Sequence, residues 1–345
     1  MKTIKVSASK NYEVLIGAGL LNNLGQQILS VLQKPCKIAI ISDSNVWPLY
    51  GNTATNALKD AGFTIVNFTF PAGESSKNAD TYFQILNFLA ENQLTRSDAV
   101  LALGGGVTGD MTGFAAATFL RGIRYIQVPT TLLAMVDSSV GGKTAIDLPA
   151  GKNLVGAFYQ PNLVLCDLDT LNTLPISVFC DGCAEVIKYG VLYDQELFEH
   201  LSAMGLDFDR ERVIARCVEL KRDVVAEDEF DTGARQKLNL GHTIGHGVEA
   251  QSNFAITHGQ AVAIGMAIVA KAGCKSIYND LCEVLLKFNL PTTTTFSAQQ
   301  LYTSALSDKK RAGGTVNLII PQEIGHCEIV PTPVEKLESF IKEGL

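Results

Sequence analysis

The sequence lacks the features that would place it in a membrane or in an oxidising compartment. Its longest apolar run, Ala261 to Ala270, is far shorter than the about 20 residues that span a bilayer. No succession of charged, apolar and small residues resembling a signal peptide opens the chain. The eight cysteines are scattered without the spacing of a disulfide scaffold. We therefore expect a cytoplasmic protein that does not bind membranes.

Basic runs are also missing. The formal charge is -7, and no basic face with interleaved aromatic residues is present, which argues against nucleic acid as a partner. No internal repeat or low-complexity tract interrupts the chain. With 345 residues, of which 47% are hydrophobic, the chain can bury a large core and should divide into two domains.

The two halves of the chain have different periodicities. Apolar, β-branched runs alternate with helical stretches in the first half, which predicts a mostly parallel α/β sheet. The predicted strands are Lys37 to Ser42, Thr64 to Phe70, Ala99 to Leu103, Tyr125 to Val128 and Leu163 to Cys166. From about Ser177 the periodicity is helical, with predicted helices Arg210 to Glu227, Gly259 to Ile277 and Val334 to Lys342 and one extended run, Val316 to Ile320. We predict an α/β domain of residues 1–175 and a mainly helical domain of residues 176–345, divided near Leu174-Pro175.

A glycine-rich turn follows one predicted strand. Gly104-Gly-Gly106-Val-Thr-Gly109-Asp110 comes directly after Leu103 and precedes a helical stretch, so backbone N–H groups and a helix N-terminus converge where a pyrophosphate could bind. The acid that the usual dinucleotide fingerprint places about twenty residues downstream is not evident. Asp43, at the end of an earlier strand, is the better candidate. The turn predicts a variant nucleotide fold, and a tight turn without a ligand is the alternative.

Three of the five histidines, His242, His246 and His258, fall within seventeen positions. A helix over Leu238 to Ala250 would place His242 and His246 on one face. A catalytic divalent ion needs about three N or O ligands and a vacancy. Spacing alone leaves open which two histidines serve, and ordinary surface or core histidines are the alternative.

Carboxylates and a lysine accompany these histidines. A helix over Ala184 to Val191 would place Glu185 and Lys188 on one face, and Asn239 and Glu249 flank the histidine pair by one turn. A Glu from one segment and two His from another would complete an open metal site.

Several blocks of the sequence together resemble the 3-dehydroquinate synthase family. They are Gly104 to Asp110, Pro129 to Lys143, Gly151-Lys-Asn153 with Gly156-Ala-Phe158, Ala184 to Lys188, and Leu238 to His246. They follow the family's order and spacing from about Asp43 to Lys310. Many members carry Arg-Glu where this chain has Ser177-Val178, a departure that leaves the metal and phosphate blocks whole.

The resemblance implies conversion of 3-deoxy-D-arabino-heptulosonate 7-phosphate to 3-dehydroquinate and phosphate, a step of the shikimate pathway of aromatic amino acid biosynthesis. NAD would be reduced and reoxidised within one turnover, and a divalent ion, usually zinc or else cobalt, would be required. The implied fold is a Rossmann-like α/β nucleotide-binding domain followed by a helical domain, with the active site in the cleft between them, usually in a homodimer.

The resemblance also implies the residues of the site. The metal ligands would be Glu185, His242 and His258, and His246 would handle protons and contact substrate. Phosphate would meet Arg121, Lys152, Asn153, Lys309 and Lys310, and the carboxylate would meet Arg235. Asp137, Lys143, Lys188 and Asn239 would engage ring hydroxyls or the carboxylate. NAD would contact Asp43, Asn45, Glu74, Lys77, Gly105, Gly106, Val107, Asp110, Thr130, Thr131, Lys143, Lys152, Thr170 and Thr173.

Three alternatives belong to other classes of function. Sugar phosphate cyclases that accept sedoheptulose or glucose phosphates lack a substrate carboxylate, whereas Arg235, Asn239 and His246 favour a carboxylated substrate. A polyol or alcohol dehydrogenase would release NADH and would not need the phosphate cations near Lys152 and Lys310. A catalytically silent, nucleotide-binding paralogue usually lacks a ligand or base, and none is missing here.

Overall fold

The structure, a computed structural model, describes residues 1–309 and 314–345, with the backbone alone over residues 306–309. The chain forms two compact units, one of residues 1–174 with 221–230 and the other of residues 175–220 with 231–345. None of the helices in the described ranges combines the length and apolar character needed to cross a bilayer.

The first unit is built on a seven-stranded sheet. Its strands are β1 Lys2–Val6, β2 Tyr12–Gly17, β3 Lys37–Asp43, β4 Thr64–Phe70, β5 Ala99–Gly104, β6 Arg124–Pro129 and β9 Leu163–Asp167. The order across the sheet is β1-β2-β9-β6-β5-β3-β4. Only the β1–β2 pair is antiparallel. The parallel α/β prediction is confirmed, whereas β1 and β2 were not predicted.

Helices cover both faces of this sheet. They are α1 Leu24–Leu32, α2 Trp47–Asp60, α3 Ala79–Glu91 and α4 Gly106–Thr118. Strand β3 shows how the two cores form, because its side chains alternate between them. Ile38 and Ile40 pack in the core that includes residues of α1 and α2, while Ala39 and Ile41 pack in the core that includes residues of α3 and α4. Burial on both faces explains why these strands are continuous apolar runs.

The strand order reverses at β3, which has β4 on one side and β5, β6 and β9 in succession on the other. This is the order of a flavodoxin-like doubly wound sheet, in which ligands bind beyond the carboxyl ends of the strands at the reversal. Asp43 ends β3 and Gly104 ends β5. The fold therefore brings the predicted acid and the predicted glycine turn to this point. A separate antiparallel hairpin, which was not predicted, consists of β7 Lys143–Leu148 and β8 Gly151–Phe158.

The second unit is mainly helical, as predicted. Its helices are α5 Ile176–Tyr193, α6 Gln195–Met204, α8 His242–Gln251, α9 His258–Gly273, α10 Lys275–Lys287, α11 Ala298–Lys309 and α12 Val334–Gly344. Helix α7, Arg210–Glu227, starts in this unit, and its last residues cluster with the first unit. An antiparallel hairpin of β10 Thr315–Glu323 and β11 His326–Pro333 completes it. Strand β11 was not predicted.

Two helix predictions are corrected. The helix predicted over Gly259 to Ile277 is broken at Cys274, whose φ of -151° and ψ of 79° are not helical. The helix predicted over Leu238 to Ala250 begins only at His242, because Gly241 has a φ of +78° and the preceding residues form a 3₁₀ turn. Asn239 therefore lies outside α8.

Candidate metal and nucleotide sites

Three side chains of the second unit converge from separate helices. Glu185 Oε1, on α5, lies 3.5 Å from Nε2 of His242 on α8 and 3.4 Å from Nε2 of His258 on α9. Donors bound about 2.0–2.1 Å from a tetrahedral zinc ion stand about 3.3–3.4 Å apart. The separations from Glu185 are thus those that a single ion would require. The residues present fit a divalent ion.

A second group of possible ligands shares one of these residues. His246, Glu249 and His258 also bring ligand atoms within 4.8 Å of one another. Glu249 is buried and His246 is exposed. His258 faces both groups, since Nε2 points to Glu185 while Nδ1 lies 3.7 Å from Glu249 Oε1. Spacing in the sequence did not separate these arrangements.

A cap at the start of α9 fixes the position of His258, the first residue of that helix. Thr257 is the N-cap of a capping box, and its N–H donates to Gln260 Oε1 at 3.2 Å. Asp181 Oδ1 accepts hydrogen bonds from Thr257 Oγ1 and, at 3.1 Å, from Gln260 N. Because Asp181 lies one helical turn before Glu185 on α5, the cap ties the two ligand-bearing helices together. Sequence reasoning missed Asp181.

Two glycines permit this close packing. A Cβ on Gly259 would lie 2.0 Å from the carbonyl oxygen of Asp181, and a Cβ on Gly245 would lie 2.9 Å from that of Ala261. Both distances are too short for any side chain. The glycines therefore let α5, α8 and α9 approach closely enough for their polar side chains to meet.

The buried environment of His242 keeps its imidazole neutral. Burial, and next the charge of Lys188, lower the pKa of His242 to about 3. Its Nδ1 lies 3.1 Å from the carbonyl oxygen of Leu240. A neutral ring that donates from Nδ1 leaves the lone pair of Nε2 directed toward Glu185.

The surroundings of His258 shift its pKa in the opposite direction. Burial alone would lower its pKa, but the neighbouring carboxylates of Glu185 and Glu249 outweigh burial and raise it to about 10. His258 without an ion is therefore protonated at neutral pH. Because a metal ligand must be deprotonated, ion binding has to displace that proton and is favoured as pH rises toward about 10.

In the first unit, Asp43 is bonded to the helix that follows the glycine turn. Its Oδ1 accepts from the backbone N–H of Asn45 at 2.9 Å and of Val46 at 3.1 Å. Its Oδ2 accepts from Thr108 Oγ1 at 3.3 Å. The structure therefore joins the acid and the turn that sequence analysis paired.

The turn itself is compact. Gly105 packs closely on the next strand's end, since a Cβ there would lie 3.1 Å from Thr131 Cγ2. The N–H of Thr130 donates to Gly104 O at 3.0 Å. Thr130 Oγ1 is buried and has no hydrogen-bond partner within the described ranges. An unpaired buried hydroxyl beside the N-terminus of α4 suits a polar ligand.

Lys77 is the centre of a buried network in the first unit. Its Nζ lies 2.6 Å from Asp110 Oδ2 and 2.6 Å from Asn153 Oδ1. Asp147 closes the network, because its N–H donates to Lys77 O at 2.8 Å and its Oδ1 accepts from Asn153 N at 2.7 Å. Lys77, Asp110 and Asn153, each of which was predicted to contact a ligand, therefore hold one another in place. Asp110 belongs to the Gly104 block and Asn153 to the Gly151 block.

We expect Lys77→Met to lower the free energy of unfolding by about 1–3 kcal/mol, because it leaves a buried carboxylate without its cation. Burial already raises the pKa of Asp110, and the Lys77 charge opposes that rise. In the variant the pKa of Asp110 rises further, so the folded state binds more protons than the unfolded state above about pH 3.9. The variant should therefore lose stability as pH increases from there to the raised pKa.

Chemical denaturation across this pH range measures the effect. Lys152→Met is the matched control, since its Nζ lies 3.9 Å from Glu74 Oε1 in a largely solvated pair worth less than about 1 kcal/mol. Equal losses in the two variants would contradict a special role for the Lys77 network.

Lys221 is a buried cation that sequence reasoning missed. Its Nζ lies 2.9 Å from Asp137 Oδ1 and 2.5 Å from Asp137 O. Asp137 lies in a single π-helical turn, Ala134–Ser138, a feature frequent at functional sites. A signal was present, because Lys221 occupies the apolar stripe of α7 between Val218 and Val224.

The remaining predicted residues are more dispersed. Tyr50 OH hydrogen-bonds Thr173 Oγ1 and donates to Thr170 O at 3.1 Å. Arg121 is exposed with a left-handed φ of 65°, and in the described part of the chain no hydrogen bond or ion pair joins it to another predicted residue. Lys143 is exposed at the start of β7, and Asn239 is exposed beside the buried Arg235 in a 3₁₀ turn. The Lys309 side chain and Lys310 lie outside the described residues.

Comparison with known proteins agrees with this architecture. Residues 67–181 match the family model described as 3-dehydroquinate synthase N-terminal, and residues 182–311 match 3-dehydroquinate synthase C-terminal. The chain is 44% identical over 347 residues to the 3-dehydroquinate synthase of Streptococcus suis (strain 05ZYH33), with 96% of this chain and 97% of that protein covered.

Solved structures are also similar over nearly the whole chain. One is 2-deoxy-scyllo-inosose synthase complexed with carbaglucose-6-phosphate, NAD+ and Co2+, with a TM-score of 0.89 at 25% identity and full coverage of both chains. Another is the 2-epi-5-epi-valiolone synthase ValA from Streptomyces hygroscopicus subsp. jinggangensis 5008 with NAD+ and Zn2+ bound, with a TM-score of 0.87 at 26% identity and 98% of each chain covered.

The doubly wound sheet and the helical unit with its Glu–His–His group have the fold class of the sugar phosphate cyclases. Within that class, the chain belongs to the 3-dehydroquinate synthase family. The recognition made from the sequence blocks is confirmed.

Proposed function

We propose that this protein is a 3-dehydroquinate synthase, a lyase that converts 3-deoxy-D-arabino-heptulosonate 7-phosphate to 3-dehydroquinate and phosphate. The observation that carries the proposal is the convergence of Glu185, His242 and His258 at separations of 3.4 and 3.5 Å in a chain that matches enzymes of this name over nearly its full length. The shikimate pathway and aromatic amino acid biosynthesis follow from that activity.

The proposed cofactors are NAD and a divalent ion, zinc or cobalt. The similar structures bind NAD+ with Co2+ or Zn2+. When bound, NAD would take a hydride from the substrate and return it in the same turnover, while the ion would lower the pKa of the reacting hydroxyl. The transient ketone acidifies the neighbouring C–H bond, which allows phosphate to leave by elimination. Ring opening and an intramolecular aldol closure then require the protein mainly to hold one conformer.

Metal binding is assigned to the helical half, residues 176–345. Glu185, His242 and His258 would supply the three protein ligands and leave a position for substrate. Lys188, which is buried and paired with Glu185 Oε2, would orient that carboxylate. Exposed His246, with its ring centre 5.5 Å from that of His242, would move protons and contact substrate.

NAD binding is assigned to residues 1–175. The N-terminus of α4 and the unpaired hydroxyl of Thr130 would bind the pyrophosphate, because N–H groups at a helix start attract anions. Asp43, at the strand reversal, would take the position of the ribose-binding acid. The Lys77 network would hold Asp110 and Asn153 in fixed orientations.

Substrate class depends on the cations. Lys152, Asn153 and Arg121, together with Lys309 and Lys310, would bind the phosphate group. Arg235 is almost fully buried, with 1% exposure, and its planar fork would match a carboxylate. A planar guanidinium with two parallel donors favours a carboxylated substrate over the sugar phosphates that lack a carboxylate. The homodimer remains a prediction from the resemblance, and the cytoplasmic location remains a prediction from the sequence features.

The test measures phosphate released from 3-deoxy-D-arabino-heptulosonate 7-phosphate with catalytic NAD, before and after treatment with a strong chelator. We expect phosphate release that stops with the chelator, returns on addition of zinc or cobalt, and shows no net NADH absorbance. Accumulating NADH without phosphate would instead identify a dehydrogenase. Activity only with sedoheptulose or glucose phosphates would identify a different cyclase.

A further inference from the structure

Carboxylates on two different helices face the two ring nitrogens of His258. Nε2 lies 3.4 Å from Glu185 Oε1, and Nδ1 lies 3.7 Å from Glu249 Oε1. Glu249 is only 3% exposed. Glu249 thus places a buried carboxylate directly beside the Nδ1 side of the His258 ring.

The chemistry of imidazole gives this carboxylate a role. A neutral ring has one N–H and one nitrogen with a free lone pair. If Nε2 of His258 binds an ion, Nδ1 must carry the proton and needs an acceptor. In His242 this acceptor is the carbonyl oxygen of Leu240, which lies 3.1 Å from Nδ1. For His258 the acceptor within reach is Glu249.

We propose that Glu249 is a positioning residue that accepts the Nδ1–H of His258, and thereby presents Nε2 to the metal ion. The 3.7 Å separation has to shorten to about 3.2 Å or less for this hydrogen bond to form. The inference rests on the metal-ligand set of the proposed function. It assigns Glu249 no direct contact with the ion, although the residue belongs to the second group of possible ligands.

The position of Glu249 on α8 strengthens the argument. His242 and Glu249 are seven residues apart on α8, which is close to two full turns, so both side chains leave the same face of the helix. Helix α8 therefore carries one proposed ligand, His242, and the residue that positions another, His258. Asp181 secures the start of α9, and Glu249 sets the rotation of the His258 ring. Partners of this kind typically change metal affinity by about 10–100-fold when they are removed.

The experiment compares zinc affinity in metal-free wild type, Glu249→Gln and Glu249→Leu by competition with a chromogenic chelator. Glu249→Leu should bind zinc about 10–100-fold more weakly. Glu249→Gln should lose only a few-fold, because its amide oxygen still accepts the hydrogen bond. The absorption spectrum of the cobalt-loaded protein should shift in Glu249→Leu and remain near wild type in Glu249→Gln. A purely structural role would not separate these two variants.

The outcomes separate this inference from the proposed ligand set. If the wild type does not bind zinc, the proposed set of metal ligands is wrong. Unchanged zinc affinity and cobalt spectrum in Glu249→Leu, with wild type binding zinc, would overturn the role of Glu249 alone. A fall from two bound ions to one would make Glu249 a ligand of a second ion and also overturn it. If Glu249→Leu does not fold, Glu249→Asp serves instead, since its shortened side chain should weaken zinc binding; wild-type affinity in that variant would overturn the proposal.

Discussion

His258→Ala is expected to bind zinc about 100- to 1,000-fold more weakly than the wild type and to release almost no phosphate. A zinc site with four protein ligands is worth about 10–16 kcal/mol, or about 2.5–4 kcal/mol for each ligand, and each 1.4 kcal/mol is about a tenfold change in affinity. The fold should survive, because His258 is the first residue of α9 and is partly exposed. Zinc content after dialysis and a competition titration measure the effect.

His246→Ala is the matched control for this prediction. His246 lies one turn from His242 on α8, yet the proposed ligand set excludes it. The variant should keep zinc within a few-fold of the wild type and lose activity through the missing proton transfer. If His246→Ala loses zinc and His258→Ala keeps it, the ion is held by the His242 and His246 pair that sequence spacing also allowed.

Sequence analysis proposed residues for the site more readily than it predicted their supporting contacts. Glu185 and His242 were proposed as ligands because the blocks containing them resemble a family, and His258 was proposed because the resemblance implies it. Asp181 could not be named, because it acts through a cap on a helix distant in sequence. The apolar stripe of α7 marked Lys221 as buried but did not predict its contact with Asp137. Both are tertiary contacts between segments far apart along the chain, and no local periodicity encodes such contacts.

Two of the strands that were missed, β8 and β1, bury few of their side chains. Residues 153–156 of β8 are all exposed, so this strand has no buried face and no apolar alternation to detect. Strand β1 is five residues long and buries two of them. In contrast, β3 and β5 are buried on both faces and were predicted to within one residue. The predicted helix boundaries were wrong at Gly241 and Cys274. Backbone angles interrupt the helix at both residues, although the apolar pattern extends across them.

Lys188→Met is expected to destabilise the metal-free protein by about 3–5 kcal/mol, because it removes one partner of a buried ion pair. The side chains of Lys188 and Glu185 are each only 2% exposed, so solvent screens the pair weakly. With zinc bound, the ion supplies positive charge beside Glu185, and the loss should be smaller. Denaturation in urea with and without zinc measures both values. Lys275→Met, at an exposed position on α10, is the control and should change neither.

Thermodynamic linkage turns this difference into a second expected result. Whatever stability zinc restores to Lys188→Met beyond its effect on wild type must appear as tighter zinc binding. A restoration of about 1–3 kcal/mol corresponds to about 5- to 150-fold higher affinity. The variant should thus bind zinc more tightly and yet release less phosphate, because the resemblance implies that Lys188 also contacts the substrate. Weaker zinc binding in Lys188→Met would show that Lys188 organises the ligands chiefly by geometry, with little electrostatic competition against the ion.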